Sequence, residues 1–277
     1  MPYRGHQPSL EDVMIRICLA VAACLGCCCV AWAQTPTPLH AYELNGSLTD
    51  TFAGPALVNN GASLGATGLT FGANQGPSLS SWLGGSATSG NYSIEMYFSL
   101  DTTNGFRKLI DFSNRVSDTG LYNISTALQL YNLPAGTSGA FADGVMTHLV
   151  LTRDGASNQI VGYINGSTTL GISQTDGGNI AVFAAANNII SFFQDDAATG
   201  FSEASGGFVD FIRIYDHPVT AEDAQNLFGA INAVPEPATW LMMAAGVSGT
   251  GMVMYKKLKQ KRRQRRNKAV TLPVAAR

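Results

Sequence analysis

The run Tyr92-Ser93-Ile94-Glu95-Met96-Tyr97-Phe98-Ser99-Leu100 decides the fold class. Apolar and polar positions alternate along it. Tyr92, Ile94, Met96, Phe98 and Leu100 share one side, and Ser93, Glu95, Tyr97 and Ser99 the other. A period of two belongs to a β-strand, whose successive side chains point to opposite faces. The segment therefore reads as a half-buried strand, with the polar set turned to water.

Further β-prone runs lie outward from it. Residues 145–153 read VMTHLVLTR, and residues 159–164 lead through Asn165-Gly166 into residues 167–170. Asn-Gly between two such runs is a strong hairpin signal, because a type I′ turn needs positive φ at both central positions. A late strand is read over residues 208–215 (FVDFIRIY). One helix follows: Thr220 caps it with Asp223 three residues on, and Ala224, Leu227, Phe228 and Ile231 share a face. Short strands, clusters of Gly, Asn, Ser and Asp, and no long helix give an all-β chain. The expected architecture is an antiparallel β-sandwich or jelly roll over residues 39–231, after a short linker at 34–38.

Charge narrows the function. The 277 residues carry a formal charge of −2 that hides a strong asymmetry. Between residues 34 and 255 the only cations are Arg107, Lys108, Arg115, Arg153 and Arg213, against sixteen carboxylates up to residue 234, so this body carries about −11. Nucleic-acid binding needs a basic footprint and is excluded as a reading. All five cysteines (Cys18, Cys24, Cys27, Cys28, Cys29) precede residue 30, so the body has neither a disulfide nor a catalytic thiol.

The two ends read as targeting segments. Arg16 precedes an apolar run over residues 17–33 that closes with Ala31-Trp32-Ala33. Small residues at the outer two positions make a signal-peptidase site, with the cut between Ala33 and Gln34. Met14 is an alternative start, and Val21-Ala22-Ala23 before Cys24 is an alternative, lipoprotein-type site. At the other end Pro235-Glu236-Pro237 is followed by an apolar stretch to Tyr255 and then by KKLKQKRRQRRNK over residues 256–268. The seventeen residues 239–255 would make a helix about 25 Å long. That is a short membrane span, and the positive-inside rule keeps the basic tail cytoplasmic.

These three parts, in this order over residues 234–266, resemble a PEP-CTERM sorting domain, with a tail continuing to Arg277. The resemblance implies a Gram-negative envelope or secreted protein of an exopolysaccharide producer. It implies two processing partners, signal peptidase and exosortase, and transient membrane anchoring through the C-terminal helix. The body is similar to LamG-like (concanavalin A-like) jelly rolls in three places: residues 41–50, residues 147–155 with 162–166, and residues 207–215 with 218–222. That second resemblance implies a calcium ion tying the first loop to the last strand, with Asp50 and Asp210 at the matching positions. The plainer readings are a turn-capping Asp50 and a surface Asp210. The loop after Asp50 also lacks the family's usual Ser-Gly-Asn.

Candidate chemistry is sparse. A glycosidase wants two carboxylates about 5–10 Å apart, but Glu95 and Asp210 stand alone on their strands, and Glu-x-Asp-x-x-Glu is absent. Asp195-Asp196, if on a strand, would face opposite ways. Gly61-Ala62-Ser63-Leu64-Gly65 matches Gly-x-Ser-x-Gly, but that motif needs a strand-to-helix elbow. His148 reads as a strand residue beside the core. For sugar stacking the candidates are Trp82, the only body tryptophan, and the outward Tyr97; edge packing of Trp82 competes with that role. The expectation is a non-catalytic binding or adhesion protein of an extracellular polysaccharide matrix. A structural matrix protein and a glycanase are the alternatives.

Overall fold

The computed structural model of the chain describes residues 35–85, 87–184 and 188–232. The signal segment with its Ala33/Gln34 junction, and the sorting segment with Pro235, Glu236 and Pro237, lie outside the described residues. Among the described residues no helix is long and apolar enough to cross a membrane. Residues through Phe228 form one compact unit. Of the unit that begins at Gly229, only residues 229–232 are described.

Two antiparallel sheets make a β-sandwich. In the larger, β5 (Tyr92–Leu100) lies between β9 (Thr147–Asp154) and β13 (Gly207–Tyr215). Beyond β9 come β10 (Gln159–Ile164) and β11 (Ser167–Thr175). Beyond β13 come β3 (Leu69–Phe71) and β2 (Ser63–Leu64), and β1 (His40–Tyr42) also pairs with β13. The smaller sheet runs β4 (Ser78–Leu79), β12 (Ile190–Phe192), β6 (Phe106–Asp111), β7 (Gly120–Ile124) and β8 (Ala127–Leu130). The core fills the space between the sheets. Ile94, Met96 and Phe98 join Leu149, Leu151, Ile212 and Ile214 and meet Leu121, Leu128, Leu130 and Phe192 from the smaller sheet. Each such side chain contributes about 1.5–3 kcal/mol on burial.

The outer face of β5 departs from its reading as a solvated surface. Ser93 and Glu95 point outward, as the alternation requires, yet both are fully buried. The cause is the C-terminal helix α1 (Ala221–Asn232), which lies over this part of the sheet. Val219, Ala224 and Leu227 close a second apolar cluster with Val150, Tyr163 and Tyr215. The expected cap is present: the Asp223 N–H donates to Thr220 Oγ1 at 3.1 Å, and the Thr220 N–H to Asp223 Oδ2 at 3.3 Å. The β10–β11 turn is also as read, with φ of 50° at Asn165 and 76° at Gly166. A Cβ on Gly166 would sit 3.0 Å from Phe228 Cβ and 3.1 Å from Gln225 Cα, so both the positive φ and the crowding by the helix favour glycine here. Ser63 opens β2 opposite Thr70 of β3, which makes the Gly-x-Ser-x-Gly match a hairpin and not an elbow.

Candidate functional site

Trp82 is not a stacking platform. It is fully buried, its indole N–H donates to the Asn188 carbonyl at 2.5 Å, and its ring meets Tyr92 and Phe183 edge-on at 5.8 and 5.2 Å. A Ser/Gly-rich neighbourhood suggested an exposed loop. The ring instead closes one end of the core, because a large apolar surface with one satisfied donor gains most from burial. Tyr97 is half-buried on the outer face of the larger sheet, 6.0 Å from the Phe211 ring. The Arg213 guanidinium lies 4.0 Å over Phe211 and is held by Glu43 at 3.0 and 3.1 Å.

The calcium expectation does not fit the donor set. Asp50 Oδ1 accepts the backbone N–H groups of Ala41 (2.8 Å) and Phe52 (3.0 Å), and Oδ2 accepts the Gly54 N–H (2.9 Å) and contacts His40 Nδ1 (2.7 Å). Burial pushes its carboxyl up, but these donors outweigh burial and leave it below the usual aspartate range. Four N–H groups already use its lone pairs, so Asp50 organises the loop. Asp210 is half-buried; burial and then Glu43 raise its carboxyl, against the pull of Arg213. Among the described residues no group of three His, Cys, Asp or Glu is arranged to hold a metal.

Glu95 is likewise removed from any cleft. Its Oε1 meets His148 Nε2 at 2.9 Å, its Oε2 accepts the Tyr215 hydroxyl at 2.5 Å, and Arg213 Nη1 lies 3.6 Å away. His148 stacks on Phe228 of α1 at 5.8 Å. This buried polar network lies beneath α1.

The richest constellation lies on the smaller sheet. Leu121, Leu128 and Leu130 point to the core, so Tyr122 and Gln129 point out. Lys108 stands opposite Tyr122 with its Nζ 5.0 Å from the ring centroid. Phe106, Tyr122 and Tyr131 form a triangle of edge-to-face rings, with centroids 5.8 to 6.1 Å apart. The Tyr122 hydroxyl donates to Asp118 Oδ1 at 2.9 Å, and Asp118 also raises the Tyr131 phenol. Phe106, Tyr131 and Asp118 remain half-exposed.

A loop after β12 folds over the same face. Phe193 turns it with φ 55°, which takes Asp195 and Asp196 off the strand. The opposite facing of two adjacent acids on a strand therefore does not apply: both carboxylates reach the buried Lys108. Its Nζ lies 3.6 Å from Asp195 Oδ1 and 3.3 Å from Asp111 Oδ2, and it donates to Asp196 Oδ2. Burial raises Asp111 above its ordinary range. For Asp196, the pull of burial is overcome by Lys108 and by the Ala198 and Thr199 N–H groups, so it falls below that range. Glu203, half-buried at the end of the loop, is raised by burial, then by Asp195 and Asp118. Arg115 ties the two loops together through Asp195 O and Gln194 Oε1, both at 2.7 Å, and stacks on the exposed Phe201. Arg115 and Phe201 both have positive φ, 59° and 62°. Backbone strain of this kind collects at functional sites. One sequence signal pointed here: Lys108 is the only lysine between residues 34 and 255, and it sits on a strand.

No known family and no curated protein matches the chain in sequence. Solved structures do match in fold. A sialidase from Trypanosoma rangeli aligns at 14% identity with a TM-score of 0.51, covering 82% of this chain and 40% of its own. The same enzyme with 2,3-difluorosialic acid gives 16%, 0.52, 79% and 38%. Domain 4 of AbnA, a GH43 extracellular arabinanase from Geobacillus stearothermophilus in complex with arabinotriose, aligns at 18% identity and a TM-score of 0.50, covering 70% of this chain and 99% of that one. The chain thus spans about 40% of the sialidase. At these identities the likeness is one of fold.

Proposed function

We propose that the protein is exported and acts as a non-catalytic glycan-binding or adhesion protein of an extracellular polysaccharide matrix or cell envelope. Its LamG-like jelly roll is the binding module. Exosortase processing near Pro235-Glu236-Pro237 releases it from the membrane. The observation that carries this reading is the ring triangle of Phe106, Tyr122 and Tyr131 beside the Asp118 carboxylate on the outer face of the smaller sheet. Flat rings take the C–H face of a sugar, and a carboxylate beside them accepts its hydroxyls. The arabinanase domain of this fold, solved with arabinotriose, supports the same reading.

A body charge of about −11 makes attraction to acidic polymers unfavourable unless divalent cations from solution bridge the two. The test is binding of the processed protein, without the basic run at residues 256–268, to neutral and acidic polysaccharides with and without EDTA. Tyr131→Ala weakens binding about tenfold, the loss expected of one stacked ring. Unchanged binding in that variant overturns the reading, and undiminished binding to acidic polymers in EDTA overturns the bridging.

A further inference from the structure

The cage around Lys108 holds the parts of an acyl-transfer site. The side chains of Lys108, Asp111, Asp195 and Asp196 are all 0% exposed, and the Tyr122 ring centroid lies 5.0 Å from the Nζ. An ion pair this dry is costly to keep, because desolvation opposes both charges. Proton transfer within it leaves a free amine and a neutral acid, the reactants of an amide. The two groups touch: Nζ contacts Asp196 Oδ2, one bond from the Cγ it would attack.

Two further groups stand where the reaction needs them. Asp196 Oδ1, the oxygen that gathers negative charge in a tetrahedral intermediate, accepts the Ala198 N–H at 2.7 Å and the Thr199 N–H at 3.2 Å. Paired backbone donors of this kind make an oxyanion hole. Asp111 Oδ2 accepts from Nζ at 3.3 Å, and burial raises its carboxyl, which makes it the better proton acceptor. Backbone contacts hold the reacting groups together. The Phe193 N–H donates to the Leu109 carbonyl at 3.0 Å and the Lys108 N–H to the Glu203 carbonyl at 2.8 Å, so the loop bearing Asp196 is pinned to β6 on both sides. Groups oriented within one molecule reach effective molarities of about 10⁵–10⁸ M.

We propose that Lys108 and Asp196 condense into an intramolecular amide that staples β6 to the loop after β12. One Nζ proton passes to Asp196 Oδ2. The amine lone pair then forms the Nζ–Cγ bond, and a second Nζ proton passes through Asp111 to the same Oδ2. The Cγ–Oδ2 bond breaks, its electron pair leaves on water, and Asp111 returns to its starting state. One ammonium and one carboxylate thus become one amide and one water, and no oxidant takes part. The staple joins residues 88 positions apart in a body that has no cysteine for a disulfide.

The experiment is tryptic peptide mapping of the full chain after denaturation, read by mass spectrometry. Trypsin does not cut after an acylated lysine. The linked protein yields residues 108–115 joined to residues 154–213, lighter by one water than the two peptides together. Lys108→Arg and Asp196→Ala abolish the joined peptide. Asp196→Asn keeps it, because loss of ammonia gives the same amide; a purely ionic pairing yields no link in either protein. Asp111→Asn lowers the linked fraction of freshly purified protein about tenfold or more, the loss expected of a proton carrier. Unlinked residues 109–115 as the main product of the folded parent overturn the proposal, and a link that persists in Asp196→Ala overturns the choice of partner.

Discussion

Asp50 separates a loop-organising carboxylate from a metal ligand, and the pair Asp50→Ala and Asp50→Asn tells them apart. The carboxylate serves four N–H groups that are not equally costly to strand. The Ala41 N–H is buried at the start of β1, whereas Phe52 and Gly54 lie in an exposed loop where water can replace the lost acceptor. His40 bridges Asp50 Oδ2 at 2.7 Å and the Trp82 carbonyl at 2.8 Å, so both ring nitrogens face acceptors. Asp50→Ala leaves one buried donor unpaired, about 1–3 kcal/mol, and removes a charge-assisted contact to His40 of similar size. We expect about 3–4 kcal/mol in total. Asp50→Asn is much milder. Its oxygen keeps Ala41 and Phe52, and its amide can donate to a neutral His40 Nδ1. Only the Gly54 contact is lost, about 1 kcal/mol.

The assay is urea unfolding followed by far-ultraviolet circular dichroism. With a slope of about 2 kcal/mol per molar, Asp50→Ala lowers the midpoint by about 1.5–2 M and Asp50→Asn by about 0.5 M. The pH dependence has a definite sign. Asp50 is held below its ordinary range, so its contribution is present above the unfolded aspartate pKa of about 3.9 and is lost as pH falls through the lower folded value. Asp50→Asn removes that acid limb. Equal losses in the two variants, together with a calcium-dependent midpoint in the parent protein alone, would refute the hydrogen-bond account and restore the metal.

Three further outcomes follow from the same contacts. Lys108→Met strands three buried carboxylates and costs about 3–5 kcal/mol in unfolding experiments, with a smaller loss in acid where those groups take up protons. Gly166→Ala meets both the 76° φ and the helix backbone near 3 Å, and costs more than 1 kcal/mol, read as a drop in melting temperature of several degrees. Glu203 is raised, so the stability it contributes is fully present below the unfolded glutamate pKa of about 4.3 and is lost as pH rises through the folded value. Glu203→Gln is therefore at least as stable as the parent at pH 7, and a clear destabilisation there would show a missing partner.

What could be read from the sequence follows the range of each interaction. The faces of residues 92–100, the Asn165-Gly166 turn and the Thr220–Asp223 cap are set by neighbours within a few positions, and all three appear as read. Burial of Glu95 could not be read, because the helix that covers it lies more than 120 residues further along the chain. Strand β6 was missed because FRKLID carries three charges in six residues. Those charges make sense only once Asp195 and Asp196 arrive over Lys108. Trp82 misled for a related reason: Ser and Gly describe its loop, while Tyr92, Phe183 and the Asn188 carbonyl decide where its ring goes.

All five cations of the body are held by oxygens of the protein itself. Lys108 and Arg153 are buried on carboxylates, Arg213 is fixed by Glu43 and Glu95, and Arg107 and Arg115 are tied to neutral oxygens. Positive charge is thus used for internal assembly, and the carboxylates left over are those at or near the surface. A domain built this way repels its own copies and any anionic polymer at low ionic strength. The charge of the body alone favours ligands that are uncharged, positively charged or joined to it through divalent ions. Those three cases separate cleanly by salt: uncharged ligands are indifferent to it, cationic ligands bind less, and bridged anionic polymers bind only when the bridging ion is present.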